Sequence, residues 1–321
     1  MIGERVADLE ILGLQGALQE MSEEGGPLRL HGLWGGARAL VLGEIARAVK
    51  RPLLVITATV GEAERLTADL RFFLDRERVA LFPEPEVPPF QPVSPPLEVR
   101  AERIQRLRQL RDRELLALVV PIQALFRRLL PPEALDSVTL HLYRHRIIPP
   151  EKVVELLEVS GYRRVPQVGE PGEYSRRGGI LDLGLPHLPH PVRIEFFGDE
   201  IESIRTFDVD TQRSLSTPGG VEEVTILPLS EILLSPDSRR LARKRTDGEV
   251  SPCLQEAVAV GRHGPGLERY LPYFYPRTSP LWEYWGPGTI LVWDDPEQVA
   301  AKAEAAEGLL EEQCRRRQGE G

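Results

Sequence analysis

LRLHGLWGGARALVLGEIARAV, from Leu28 to Val49, reads as a short strand, LRLHGL, handing over to a helix, ARALVLGEIARAV, through a glycine-rich turn. That is the setting of a phosphate-binding loop, G-x-x-x-x-G-K-[ST], whose inward-turned backbone N–H groups cradle a nucleotide's phosphates. Gly32 takes the first position. Ala37 stands for the second glycine, Arg38 for the lysine and Ala39 for the hydroxyl. Ala37 adds a Cβ where the backbone should approach phosphate closely. Arg38 keeps the charge but replaces a compact ammonium with a broad planar fork. Ala39 removes the oxygen that would ligate Mg²⁺. Together the three changes point to a degenerate P-loop, a nucleotide-binding fold without its chemistry. They predict no ATP hydrolysis and no Mg-ATP affinity tighter than millimolar.

Downstream of that helix, short apolar runs alternate with amphipathic ones. PLLVITAT (52–59) is a buried strand, GEAERLTADLRFFL (61–74) a helix and VALF (79–82) a short strand, the pattern of an α/β domain on a parallel sheet. In PEPEVPPFQPVSPP (83–96) the proline density forbids helix or central strand. LEVRAERIQRLRQLRDREL (97–115) is helical, with Val99, Ile104, Leu107 and Leu110 on one stripe. Its arginines are interleaved with acids at i,i+4 spacing, so it reads as a solvated face rather than a phosphate track. These elements form the first part of the α/β domain, 1–137.

From Val138 the texture changes to a small α+β domain, 138–229. VTLHLYRHRI alternates, and PPEKVVELLEVSG (149–161) is a short helix opened by Pro149 and Pro150 and closed by Gly161. Short strands follow in YRRVPQV, EYSRR, GGILDL, VRIEFF and IESIRTF, with a hairpin turn at Gly198-Asp199. Val192, Ile194 and Phe196 are expected on one face, Arg193 and Glu195 on the other. Pairing of YRRV with YSRR would bring Arg163, Arg164, Arg176 and Arg177 onto one surface, interrupted only by Glu170 and Glu173. Such a patch suits an acidic protein partner, because arginine forks bind carboxylates bidentately.

The remainder, 230–321, returns to α/β character and is expected to complete the first sheet. EILLSPDSRRLARKR (231–245) reads as a helix, and GTILVWDDPEQVAAKAEAAEGLLEE (288–312) as a strand followed by a helix. ILVWDD ends where a helicase carries the Asp-Glu of its metal site, here Asp294-Asp295. With Pro296 directly after, Asp295 reads instead as a helix N-cap. Trp282 and Trp285 are expected to pack as core or as a cap.

Composition limits what else the chain can be. The net charge is −9, so the surface as a whole repels nucleic acid. No run approaches the ~20 apolar residues of a membrane span, and the acidic MIGERVADLE has no apolar signal core. Cys253 and Cys314, far apart, read as free thiols in a reducing cytoplasm. His141, His145, His187 and His190 make no metal set, and no nucleophile–His–acid arrangement is specified. No catalytic residue, metal or cofactor is assigned. The chain reads as a fragment of something longer.

The stretches GYRRVPQVGEPGEYSRRGGILDL and HPVRIEFFGDEIESIRTFDVDTQRS, with FPEPEVPPFQPVSP before them and GPGLERYLPYFYP and ILVWDDPEQV after, resemble the bacterial transcription-repair coupling factors. More distantly they resemble UvrB, the helicase subunit of the excision nuclease. The resemblance covers nearly all the chain, as the N-terminal, UvrB-homologous region. It implies a helicase-like α/β domain interrupted by a small domain that docks on UvrA. The RNA-polymerase-binding domain and the DNA translocase motor of full-length members would lie outside this chain. UvrB's tyrosine-rich DNA hairpin is replaced here by a proline-rich stretch whose only aromatic is Phe90. Carried over by position, the UvrA-docking residues are Arg163 or Arg164 and Arg177, with Arg176 flanking. Relatives usually have Phe where this chain has Gly184, so an aromatic anchor is missing or replaced by Leu185. The resemblance implies a non-catalytic recruitment module in nucleotide excision repair. The rivals are a residual nucleotide-dependent DNA-binding module and a structural region that masks its own docking face.

Overall fold

LLVIT and ALVVP are unbroken apolar runs, the composition of strands covered on both faces. In the computed structural model they are β1 (Leu53–Thr57) and β3 (Ala117–Pro121), every residue of both buried. Residues 27–319 are described, apart from 86, 88–90, 216–220, 247–250 and 287. Phe90 and the MIGERVADLE stretch lie outside the described residues.

The chain is a mixed α/β protein that divides into two units. One combines the described residues up to Glu84 with Gln109–Phe126 and the stretch from Trp285 onward. Its sheet is parallel, with β2 (Val79–Leu81) beside β3, β3 beside β1, and the strand Ile290–Trp293 on the far side of β1. The late ILVW strand thus joins the early sheet, as expected, with Leu53 opposite both Ala117 and Ile290. Helices Ala37–Val49 and Val60–Phe73 pack on the sheet through Ile45, Leu66 and Leu70. The second helix starts at a capping box: Thr59 accepts from the Glu62 N–H while Glu62 accepts from the Thr59 N–H.

LRLHGL is not a strand. Residues 27–34 have no regular structure, Leu30 and His31 are exposed, and only Leu28 and Leu33 reach the core. Both edges of β1 are already hydrogen-bonded, to β3 and to Ile290–Trp293, so the segment has no central slot to enter. Helices Ile122–Leu125 and Pro132–Val138 also escaped the sequence reading. Pro131-Pro132 reads as a break, yet Pro132 occupies the first helical position, where its missing N–H is no loss.

The second unit comprises 85–108 and 127–284. A two-stranded antiparallel pair joins β4 (Leu140–Tyr143) to a later strand, Glu223–Ile226. A five-stranded sheet runs in the order β5 (Arg163–Arg164), β6 (Glu173–Arg177), β7 (Ile180–Leu183), β8 (Val192–Phe197) and β9 (Glu200–Thr206). The β5/β6 pairing is parallel and the rest is an antiparallel meander, closed at β8/β9 by the expected turn with Gly198 at φ +62°. Val153 and Leu157 of the helix Pro150–Val159 belong to one fully buried cluster with Tyr174, Leu181, Leu183, Val192 and Ile194 of the sheet. Burial alternates along β8 as predicted, with a bulge between Glu195 and Phe196.

Residues 230–284, assigned by sequence to the α/β domain, pack within this second unit. Tyr275 Oη donates to the Glu231 carbonyl at 2.8 Å and accepts from the Leu233 N–H at 3.1 Å. The arginine-rich helix Leu97–Arg111 is less solvated than its composition suggested. Arg103 is 3% exposed and ion-paired with Glu231 at 2.9 Å, while Ile104 and Leu107 are fully buried. Trp282, expected as core or as a cap, is 59% exposed.

His263 provides a pH test of this unit. Burial, and secondarily the Arg100 charge, lowers its pKa, and its ring Nε2 sits 2.8 Å from the Ile232 carbonyl. The folded chain therefore holds it neutral, whereas the unfolded chain protonates it near pH ~6.5. Its contribution is fully present above that pH and is lost as pH falls toward the depressed folded value. Urea midpoints are expected to drop between pH 7 and 5. His263→Asn, which keeps a donor and cannot titrate, should flatten that slope; an unchanged slope assigns it to other groups, His187 first, which is shifted the same way by burial.

Candidate functional site

The glycine-rich stretch forms an exposed turn ahead of the helix Ala37–Val49. Gly32 and Gly35 adopt φ +77° and +54°, the turn is exposed, and Trp34 stands 85% exposed. The helix begins at Ala37 with no side-chain cap. Arg38 Nη1 lies 2.8 Å from Asp294 Oδ2. The cation at the lysine position is thus bonded to the carboxylate at the metal position, across 256 residues of sequence. Burial pushes the Asp294 carboxyl upward, and the Arg38 guanidinium only partly offsets it. Ala39 is fully buried in the core, so its position faces packing rather than a ligand. Asp295 Oδ1 accepts from the Gln298 N–H at 3.2 Å, the cap expected ahead of Pro296, although its own backbone is left-handed at φ +58°. Gly32, Ala37, Arg38, Ala39, Asp294 and Asp295 therefore form a loop and a strand end tied together by one ion pair.

The four candidate arginines, Arg163, Arg164, Arg176 and Arg177, are not on one surface. β5 does pair with β6, but Arg163 stands opposite Glu173 and Arg164 opposite Tyr174. Because side chains alternate, Arg163 and Arg177 share one sheet face and Arg164 and Arg176 the other. Each has a distinct setting. Arg163 bonds Glu173 at 2.5 Å. Burial pushes the Glu173 pKa up, but N–H donors from Gly169 and Glu170, with Arg163, outweigh it and lower the net value. Arg176 is paired with Glu151 of the covering helix at 2.5 Å. Arg164 is exposed and has no ion pair among the described residues. Arg177, 58% exposed, is held at 3.2 Å by Asp182, which is 1% exposed and also accepts both arms of Arg193 at 2.7 and 2.9 Å.

Leu185, a candidate replacement for an aromatic anchor, is 1% exposed within the core cluster and cannot reach a partner. Gly184 has its own structural reason. A Cβ there would stand 2.4 Å from the Glu170 carbonyl oxygen, while the Gly184 N–H and carbonyl bond Glu173 and Gly172 at 2.8 Å. Gly184→Ala is expected to destabilise the unit by about 2 kcal/mol, as overpacking against backbone does. A urea midpoint equal to that of the parent would show that the 169–172 turn yields freely.

The sequence reading missed the apolar neighbours of Arg177. The register places Ile180 beside Arg177 and Glu195 beside Ile180, and Phe197 follows on the same face at the same end of the sheet. Phe197 is 79% exposed and Ile180 36%. Phe197 lay in a strand pattern that predicts its face but not that its own side chain stands exposed.

Residues 140–231, which span the five-stranded sheet and its helix, match the family described as the UvrB interaction domain. The fold and this match define a mixed α/β chain carrying a UvrB interaction domain. Over 88% of its length the chain is 31% identical to the transcription-repair-coupling factor of Bacillus subtilis, and over 83% it is 32% identical to that of Escherichia coli. Against the Haemophilus influenzae factor the figures are 33% identity over 80% of the chain. The chain belongs with the transcription-repair-coupling factors as their N-terminal, UvrB-homologous region. It spans about a quarter of the length of these curated relatives, 26%, 24% and 23% respectively.

Proposed function

We propose that this chain is a non-catalytic recruitment module that docks on UvrA within transcription-coupled nucleotide excision repair. The observation that carries the reading is the coincidence of the UvrB interaction domain with a sheet whose outer end exposes Arg177, Ile180 and Phe197. An arginine beside a protruding aromatic is the composition of an interface hot spot. Arg163 extends the same face, and Arg164 stands at the edge strand. Engagement of RNA polymerase and DNA belongs to parts of a coupling factor beyond this region. A cytoplasmic setting fits that role, and no helix among the described residues is long and apolar enough to cross a membrane.

The Arg38–Asp294 ion pair supports the absence of ATPase chemistry, since it joins the two groups that would otherwise meet phosphate and Mg²⁺. The chain is expected to release no phosphate from Mg-ATP above background. Mg²⁺-dependent ATP binding in the micromolar range, lost in Arg38→Ala, would revive the nucleotide-dependent reading. Calorimetric titration of the chain into UvrA tests docking itself: saturable heat supports the proposal, and none removes it.

A further inference from the structure

The sheet face that carries Phe197 does not end at β9. Residues 145–148 run alongside the start of that strand. The His145 N–H donates to the Ile201 carbonyl at 2.8 Å, the Ile201 N–H to the Arg146 carbonyl at 3.0 Å, and the Ile148 N–H to the Asp199 carbonyl at 2.7 Å. Ile147 thereby pairs with Glu200 in an antiparallel bridge, and Glu200 pairs with Phe197 across the β8/β9 turn. Directly opposed residues of neighbouring strands point to the same face, so Ile147, Glu200 and Phe197 form one row. Ile147 is 77% exposed, nearly as much as Phe197.

Two strand spacings set the two apolar side chains about 10 Å apart, near enough for one segment of a partner to cover both. Such a segment must also cover Glu200, whose side chain is 47% exposed and takes a bond from His145 Nδ1 at 2.8 Å. Stripping water from a carboxylate costs free energy unless a donor or a cation takes its place. Arg144 and Arg146, the cations nearest to Ile147 in sequence, are bonded to the Glu202 and His141 carbonyls rather than to this carboxylate. The row therefore selects a segment with a basic side chain flanked by apolar ones. Elsewhere on the same face Arg177 calls for a carboxylate. With both signs read on one face, a partner fits in one direction only, since the reversed segment would set like charges together. Ile147, Arg177, Phe197 and Glu200 all lie within 140–231, the stretch that matches the UvrB interaction domain. We propose that Ile147, Glu200 and Phe197 form a second contact of the docking face, which holds a basic, apolar-flanked segment of UvrA and fixes its direction. This contact rests on UvrA being the partner.

The test is calorimetric titration of UvrA with the whole chain and its variants. Ile147→Ala should weaken binding by about tenfold, as loss of an apolar anchor does. Glu200→Lys, which sets two cations face to face, should weaken it by about tenfold or more, and Glu200→Gln by less. The losses in Ile147→Ala and Phe197→Ala should be coupled, because one partner segment covers both side chains. Each substitution replaces an exposed side chain, so the variants should melt with the parent. Val260→Ala, at a position 65% exposed but outside the matched stretch, should bind as the parent does. If the parent binds and either Ile147→Ala or Glu200→Lys keeps its affinity, the second contact is overturned while docking through Arg177 stands. If the parent gives no saturable heat, the UvrA reading falls and this contact falls with it.

Discussion

Replacing Arg177 and Phe197 together by alanine is expected to weaken docking on UvrA by about 3 kcal/mol or more, roughly a hundredfold or greater loss in affinity. Phe197 offers a large apolar surface that is already 79% exposed, so nothing in the free chain must open to present it. Arg177 reaches solvent at 58% exposure while one of its amino groups is anchored on Asp182, which orients the fork before a partner arrives. Preorganisation of this kind reduces the ordering cost of binding. The two residues share one end of one face, so their effects should be coupled rather than simply additive. Because both side chains are exposed, the double variant should melt close to the parent. Arg164→Ala, on the other face, should lose less. Calorimetry against UvrA with all three chains decides: equal affinity for parent and double variant would move docking to the opposite face, and a dominant Arg164 effect would move it to the sheet edge.

Asp182→Ala is expected to cost the second unit about 3–5 kcal/mol, the usual consequence of removing one partner from a buried ion pair. Asp182 is 1% exposed and accepts three hydrogen bonds, two from Arg193 and one from Arg177. Arg193 is 15% exposed and lies with its guanidinium 4.7 Å from the centre of the Phe207 ring, so it cannot swing out to water without giving up that packing. Its pKa is raised chiefly by the hydrogen bonds to Asp182, which means the folded state has committed to this charge pair. The alanine variant leaves a guanidinium that is 15% exposed without its hydrogen-bonded carboxylate, with only the charge of Glu195 nearby. Urea unfolding should show a much lower midpoint with an unchanged slope. Asp182→Asn keeps one acceptor and should lose less. A loss below about 1 kcal/mol in Asp182→Ala would mean that water replaces the carboxylate and that the pair is no more than a surface bridge in strength. The same variant should also weaken docking, because Arg177 loses its anchor.

Much of the architecture was legible because it is written in local periodicity. The continuous runs LLVIT and ALVVP became central parallel strands, and VRIEFF alternated as drawn up to the bulge at Glu195/Phe196. Gly198 turned the hairpin, and Pro149, Pro150 and Gly161 bounded their helix. The candidate interface was legible only as a cluster of arginines in sequence. YRRV and YSRR do pair, but alternation along each strand divides Arg163 and Arg177 from Arg164 and Arg176, and only the register tells which falls where.

The amino-acid order was sufficient, then, for the class of fold and for most helix and strand types. These depend on side-chain periods of two and 3.6 residues and on what single positions can donate or accept. Tertiary structure alone decided the rest. LRLHGL stayed out of the sheet because β3 and the strand Ile290–Trp293 had taken both edges of β1. Arg38 found Asp294 across the length of the chain, Leu185 sank into the core, and the Glu170 carbonyl left no room for a side chain at Gly184. Phe197 stood clear, 79% exposed, with no cover from the described residues. Each of these turns on which distant segment lies against which, and no local pattern carries that information.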